Sequence, residues 1–288
     1  MTYSPDLTRA VRHALYRLRW KLGRAWGNRV VLVGGLAPPF LVPEPASGVE
    51  PHVGTADIDL AIGLFAPEEE AYVSLVRALK DCGFGQRQPE EPSFRWFGRE
   101  GGVEVILEIL CPESEEIQRR IRRKVEIDGG SDLSALQVRG VELAAQDFVT
   151  VMLDEEAIDL GDRGPIELRV VGPTTLIALK AQALADVDKP KHAYDIVWIC
   201  DAWPHPSEEP NGVSALAQTI LSSGVQNDPF IIESFRTLGE LFEAPTSPGP
   251  VGYARTVGGD DADLERARLY AYGLVDEFLD AIRGGSQE

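Results

Sequence analysis

In the stretch Gly54-Thr55-Ala56-Asp57-Ile58-Asp59-Leu60-Ala61-Ile62, two aspartates alternate with large aliphatic side chains. A period of two predicts a half-buried strand, with Asp57 and Asp59 on one face and Ile58 and Leu60 on the other. The chain must therefore build a sheet that is apolar on one side of this strand and carries paired acids on the other. Two carboxylates side by side repel each other, and a cation relieves the repulsion. Oxygen donors at this spacing suit Mg²⁺, which is held by one or two carboxylates together with substrate phosphates.

Other segments extend the sheet. Val30–Val33 is a buried strand running into Gly34-Gly35, with a short helix kept short by Pro38 and Pro39. Residues 43–54, rich in Pro, Gly and small side chains, read as a loop. Pro67 opens a helix that closes near Cys82-Gly83. Phe94–Phe97 and Val103–Leu110 read as a hairpin joined by Gly98–Gly102, and residues 113–125 as a charged helix with i,i+4 pairs such as Glu115 with Arg119. Strands near 147–153 and 166–171 precede helices near 174–186, 191–201, 213–223, 229–243 and 262–283. The organisation is α+β: a mixed sheet followed by a mostly helical C-terminal half. The expected divisions are 1–112 (catalytic core), 113–171 (an α/β extension of it) and 172–288 (a helical domain completing the site).

Net charge is −18, which argues against a general nucleic-acid coat protein. Residues 1–29 nevertheless hold seven basic groups against one acid. They read as an amphipathic first helix, capped by Ser4, with Leu7, Val11, Leu15, Leu18 and Leu22 on its apolar stripe. Its basic face either balances an acidic body or receives an anionic acceptor such as RNA. The three widely spaced cysteines, Cys82, Cys111 and Cys200, read as reduced thiols of a cytoplasmic protein, and no apolar run is long enough to cross a bilayer.

Three further features accompany the aspartate pair. Gly34 and Gly35 at a strand-to-helix junction expose backbone N–H groups where phosphate binds well. The strand Val103–Leu110 carries Glu104, Ile106 and Glu108 on one face, so Glu108, with Glu104 as fallback, is the candidate third carboxylate. Lys180 lies on a helix of small and apolar residues and needs a partner or a phosphate; Asp195, beside Ile196, Val197 and Ile199, faces inward and is its candidate ion-pair partner. His52 and His192 read as ordinary polar residues. Phe94 and Trp96 read either as packing residues or as a stacking surface for a base.

Strand-Gly34-Gly35-helix, Thr55-x-Asp57-Ile58-Asp59, a later acidic strand residue, Lys180 and Lys191-x-x-x-Asp195 together resemble the DNA polymerase β-type nucleotidyltransferases, and more closely their AbiEii-like toxin branch. The resemblance covers roughly residues 5–201. It implies a polymerase β-type nucleotidyltransferase core that moves a nucleoside monophosphate from an NTP to an acceptor hydroxyl, at a tRNA 3′ end or on a protein. The chain would then be a toxin with a cognate antitoxin. Asp57, Asp59 and Glu108 match the acids that hold two Mg²⁺ ions, with Mn²⁺ as an alternative. Gly34 and Gly35 match the triphosphate cradle, and Thr55 and Lys191 belong to the expected nucleotide-binding set. Lys180 matches the lysine that meets the phosphates, and Asp195 an acid near the same site. A non-catalytic nucleotide-binding or protein-interaction module on the same fold is the alternative. The chain departs from the pattern in four places. It has Gly35 where many members have Ser, 21 residues between Gly35 and Asp57, His192 where the branch often has an acid, and Glu rather than Asp at 108.

Overall fold

The computed structural model describes residues 5–27, 29–62, 69–87, 94–113, 124–126, 134–154, 156, 164–186, 189–206 and 211–285. Two compact units make up the chain. One comprises residues 1–37 and 53–171, the other residues 38–52 and 172–288. Residues 1–112 and 113–171, read separately from the sequence, thus contribute to one unit, except that 38–52 belong with the helical half.

The first unit is built on a mixed sheet of β1 (Val30–Val33), β2 (Asp57–Ile62), β3 (Arg95–Glu100), β4 (Val103–Cys111), β5 (Lys124–Glu126), β6 (Ser134–Gln137), β7 (Phe148–Leu153) and β8 (Ile166–Val171). The strand order is β5-β6-β4-β2-β1-β8-β7, with β3 also on β4. β3 pairs with residues 103–108 of β4, and β6 takes over at Leu110 and Cys111. β2 runs antiparallel to β1 and parallel to β4. The period-two pattern explains the layering: Ile58, Leu60, Leu107 and Ile109 are at most 2 % exposed, whereas Asp57 and Asp59 are only half-buried. Helix α1 (Pro5–Gly27) packs against β2, β3, β4 and β8 through buried Val11, Leu15 and Leu18.

Gly23 breaks the helical backbone near the end of α1, at φ 61°. Along this helix Arg12 pairs with the buried Glu156, Arg17 with Glu100 at 3.3 Å and Lys21 with Asp81 at 3.7 Å. Arg19 is itself buried, donates to Gly23 O at 2.9 Å and feels the charge of Glu167. Burial lowers its guanidinium pKa, and Glu167 opposes that shift. These four basic groups thus serve the unit's own acids. Ser4 lies outside the described residues.

The second unit contains α2 (Pro38–Leu41) and the helices that follow α3 (Glu69–Asp81) of the first: α4 (Pro173–Asp186), α5 (Lys191–Ala202), α6 (Val213–Leu221), α7 (Pro229–Leu241), α8 (Pro248–Val257) and α9 (Asp261–Gly285). α4 packs on α5 and α7, and α9 on α6 and α8. α9 is buried at Ala271, Leu274 and Phe278. Three points hold the preceding loop to α5. Ala46 N donates to Ala202 O at 3.4 Å, Trp198 Nε1 donates to Glu50 O at 2.9 Å, and His52 meets Asp195.

Several elements differ from expectation. The hairpin turn is tighter, because β3 extends to Glu100 and only Gly101-Gly102 turn the chain. Lys124 lies in a strand rather than a helix, and residues 114–123 of the expected charged helix lie outside the described residues. The Pro- and Gly-rich segment 248–257 forms α8, with proline in its first turn where no N–H partner is needed. Gly34–Leu36 is a single 3₁₀ turn, followed by the four-residue α2. The helical stretch after Gly34-Gly35 is short, as Pro38 and Pro39 imply.

Candidate functional site

Register aligns the acidic face. Asp59 is the Cα partner of Glu108 across the parallel β2–β4 pair, and Asp57 that of Ile106. Paired residues on neighbouring strands share a face, so Asp57, Asp59 and Glu108 stand on one side of the sheet. Glu104 shares that face but lies one step beyond Asp57, exposed and paired with Arg87 at 3.0 Å. The alignment favours Glu108 over Glu104 as the third acid. Thr55 is buried, and its hydroxyl accepts the Asp57 N–H at 3.2 Å, which fixes the entry to β2.

Gly34 stands against this face from the other side, because β1 pairs Val33 with Asp59. Its φ is +75°, and a Cβ there would overlap Asp59 Oδ2 and lie 2.6 Å from Cγ. The space beside Gly34 is thus filled by the Asp59 carboxylate. Glycine at 34 is required by that close approach.

Across β3, Arg95 donates through Nε to Glu108 Oε1 at 2.6 Å, a partner that sequence reasoning missed. The signal was available, since the hairpin register puts Arg95 opposite Glu108. Among the described residues no three acidic, His or Cys side chains gather closely enough to hold a metal ion. As a donor set, Asp57 and Asp59 fit a divalent cation, and Glu108 competes between that cation and Arg95. Trp96, by contrast, is 1 % exposed in the core and presents no stacking surface.

The other expected site residues belong to the second unit. Lys180 Nζ donates to Asp195 Oδ2 at 2.5 Å, both side chains buried. His52 Nε2 lies 3.0 Å from Asp195 Oδ1, and Lys191 Nζ lies 4.0 Å from the same oxygen. Burial alone would favour the neutral acid at Asp195. Lys180, Lys191 and His52 outweigh it and hold the carboxyl well below its usual range. A carboxylate only accepts, so His52 Nε2 is the donor. Burial keeps His52 neutral against the pull of Asp195. Burial, then Lys180, lowers the pKa of His192 to about 3, and its buried Nδ1 has no hydrogen-bond partner among the described residues. The buried ion pair read from the sequence is present, and His52 is an addition to it.

The thiols of Cys111 and Cys200 are buried and free, and burial pushes both upward, Cys111 to about 12, so neither is a nucleophile at neutral pH. No described helix is long and apolar enough to cross a membrane.

Comparison with known proteins gives one family. The model described as "Nucleotidyl transferase AbiEii toxin, Type IV TA system" matches residues 50–263, the greater part of the chain. That span includes Asp57, Asp59, Glu108, Lys180, Lys191 and Asp195 and begins after Gly34-Gly35. No curated protein matches the chain. With a mixed sheet, a helical C-terminal half and this match, the chain belongs to the AbiEii family of nucleotidyltransferase toxins.

Proposed function

We propose that the enzyme transfers a nucleoside monophosphate from an NTP to an acceptor hydroxyl, on a tRNA 3′ end or a protein, with Asp57, Asp59 and Glu108 as its acidic centre. The observation that carries this reading is the level alignment of Asp59 with Glu108 on neighbouring parallel strands. Asp57 and Asp59, joined by Glu108, would hold Mg²⁺, which when bound polarises the phosphate and neutralises developing charge. The acceptor hydroxyl oxygen bonds to the α-phosphorus, the bond to the bridging oxygen of the β-phosphate breaks, and pyrophosphate leaves. Glu108, released from Arg95, takes the hydroxyl proton. Lys180, oriented by Asp195, and Lys191 supply positive charge for a triphosphate. The chain acts in the cytoplasm as the toxin of a pair, restrained by a cognate antitoxin.

Arg12, Arg17 and Lys21 of α1 are engaged with acids of their own unit. Labelling of an RNA acceptor is therefore expected to fall only shallowly with salt. The test incubates the full chain with Mg²⁺, total tRNA and each of the four α-³²P-labelled NTPs, and follows label on RNA and on protein. Asp57→Asn and Asp59→Asn are expected to reduce label to background. Equal labelling by the wild type and both variants would refute the assignment. Metal-dependent NTP binding without transfer to any acceptor would favour a binding module.

A further inference from the structure

Loop 43–52, which the sequence reading set between two parts of the catalytic core, delivers one side chain into the helical unit. His52 is 1 % exposed at its side chain. Its ring packs edge-on against Trp198 at 4.9 Å between centroids and tilts against Tyr194 at 5.2 Å. Both aromatics flank Asp195 on α5, and Trp198 also holds the loop through Glu50 O. The imidazole is thus fixed on two sides before it meets the carboxylate.

Each oxygen of Asp195 has its own task. Oδ2 receives the Lys180 ammonium at 2.5 Å. Oδ1 receives His52 at 3.0 Å, and the next cation, Lys191, lies 4.0 Å away, beyond a hydrogen bond. Without His52, Oδ1 is buried with no donor at bonding distance, and the carboxylate can rotate about its χ2. Rotation would carry Oδ2, and with it the ammonium of Lys180, out of place. We propose that His52 is a positioning residue for nucleotidyl transfer: by holding Asp195 Oδ1 it fixes the carboxylate that orients Lys180. The inference rests on the reading that Lys180 and Asp195 serve the transfer.

The experiment measures kcat and KM for label transfer from α-³²P-labelled NTP in the full chain. The variants are His52→Ala, His52→Gln, Asp195→Asn and His52→Ala/Asp195→Asn, and each is also melted. His52→Ala is expected to lower kcat between about 10- and 100-fold with KM changed less than about 3-fold, the size of a misplaced catalytic group. His52→Gln, which keeps an N–H donor, is expected to recover most of the loss. In the Asp195→Asn background, His52→Ala should cost less than about 2-fold more, because the group it positions is gone. His52→Ala at the wild-type kcat overturns the inference, and so does a loss that multiplies in full with that of Asp195→Asn. A separate reading comes from histidine ¹⁵N spectra of the full chain, where the Nε2–H signal of His52 should shift in Asp195→Asn. An unmoved signal overturns the proposal whatever the rates. If the signal moves while Asp195→Asn transfers at the wild-type rate, the contact is real and the failure belongs to the parent reading.

Discussion

Gly34→Ala tests the geometry of the acidic face at a single atom. The added Cβ would overlap Asp59 Oδ2 and come within 2.6 Å of Cγ, on a backbone at φ +75°. Alanine in that left-handed conformation costs about 1–2 kcal/mol. Pushing Asp59 off its rotamer adds about 0.5–1.5 kcal/mol. The total, about 1.5–3.5 kcal/mol, corresponds to a melting temperature lower by about 3–14 °C. Because Asp59 must move by roughly an ångström, the transfer rate should fall about 100-fold. Gly83→Ala is the control, since φ is +81° there and no described residue lies within 4 Å of the added atom. It should show the backbone cost alone, about 1–2 kcal/mol, with an unchanged rate. The assays are thermal melting and label transfer from α-³²P-labelled NTP at fixed Mg²⁺. A Gly34→Ala protein that melts lower but transfers at the wild-type rate would refute the claim that this contact sets the position of Asp59.

Two further predictions concern the helical unit. Removing one partner of the buried Lys180–Asp195 pair, as in Lys180→Ala, leaves a buried charge and is expected to destabilise by about 3–5 kcal/mol in urea unfolding. The double change Lys180→Met/Asp195→Leu should recover much of that stability while leaving no transfer activity. His192, neutral in the fold down to about pH 3, takes up a proton near its ordinary value of 6.5 when unfolded. Unfolded chain therefore binds more protons in that window, so stability is full above about pH 6.5 and declines as pH falls toward 3. His192→Gln should flatten the decline, measured as unfolding free energy at pH 7 and 4.5; an unchanged slope would contradict the assignment.

What the sequence made legible followed from periodicity. Asp57-Ile58-Asp59-Leu60 announced both the strand and its two faces, and the apolar setting of Lys180 and Asp195 announced a buried pair. Register was harder. That Asp59 meets Glu108 depends on how β2 aligns with β4, and no local signal states that alignment. The Arg95 partner of Glu108 follows instead from the β3–β4 hairpin register. Segment 248–257 carried no helix signal among its prolines and glycines, yet its prolines sit in the first turn of α8, where helices tolerate them. His52 was read as an ordinary polar residue because its partner is 143 positions away, across a loop that no pattern ties to α5.

The path of the chain carries a consequence for synthesis. Segment 38–52 leaves the ribosome well before α5, the helix it binds, has been made. Until Trp198 and Asp195 emerge, that stretch has no native seat, so the nascent protein must carry it unplaced while β1 and β2 are already available to pair. Neither unit is an uninterrupted stretch of polypeptide. A fragment beginning at residue 172 would lack His52 and the strand of backbone that caps Trp198, and could regain them only from a separately supplied peptide.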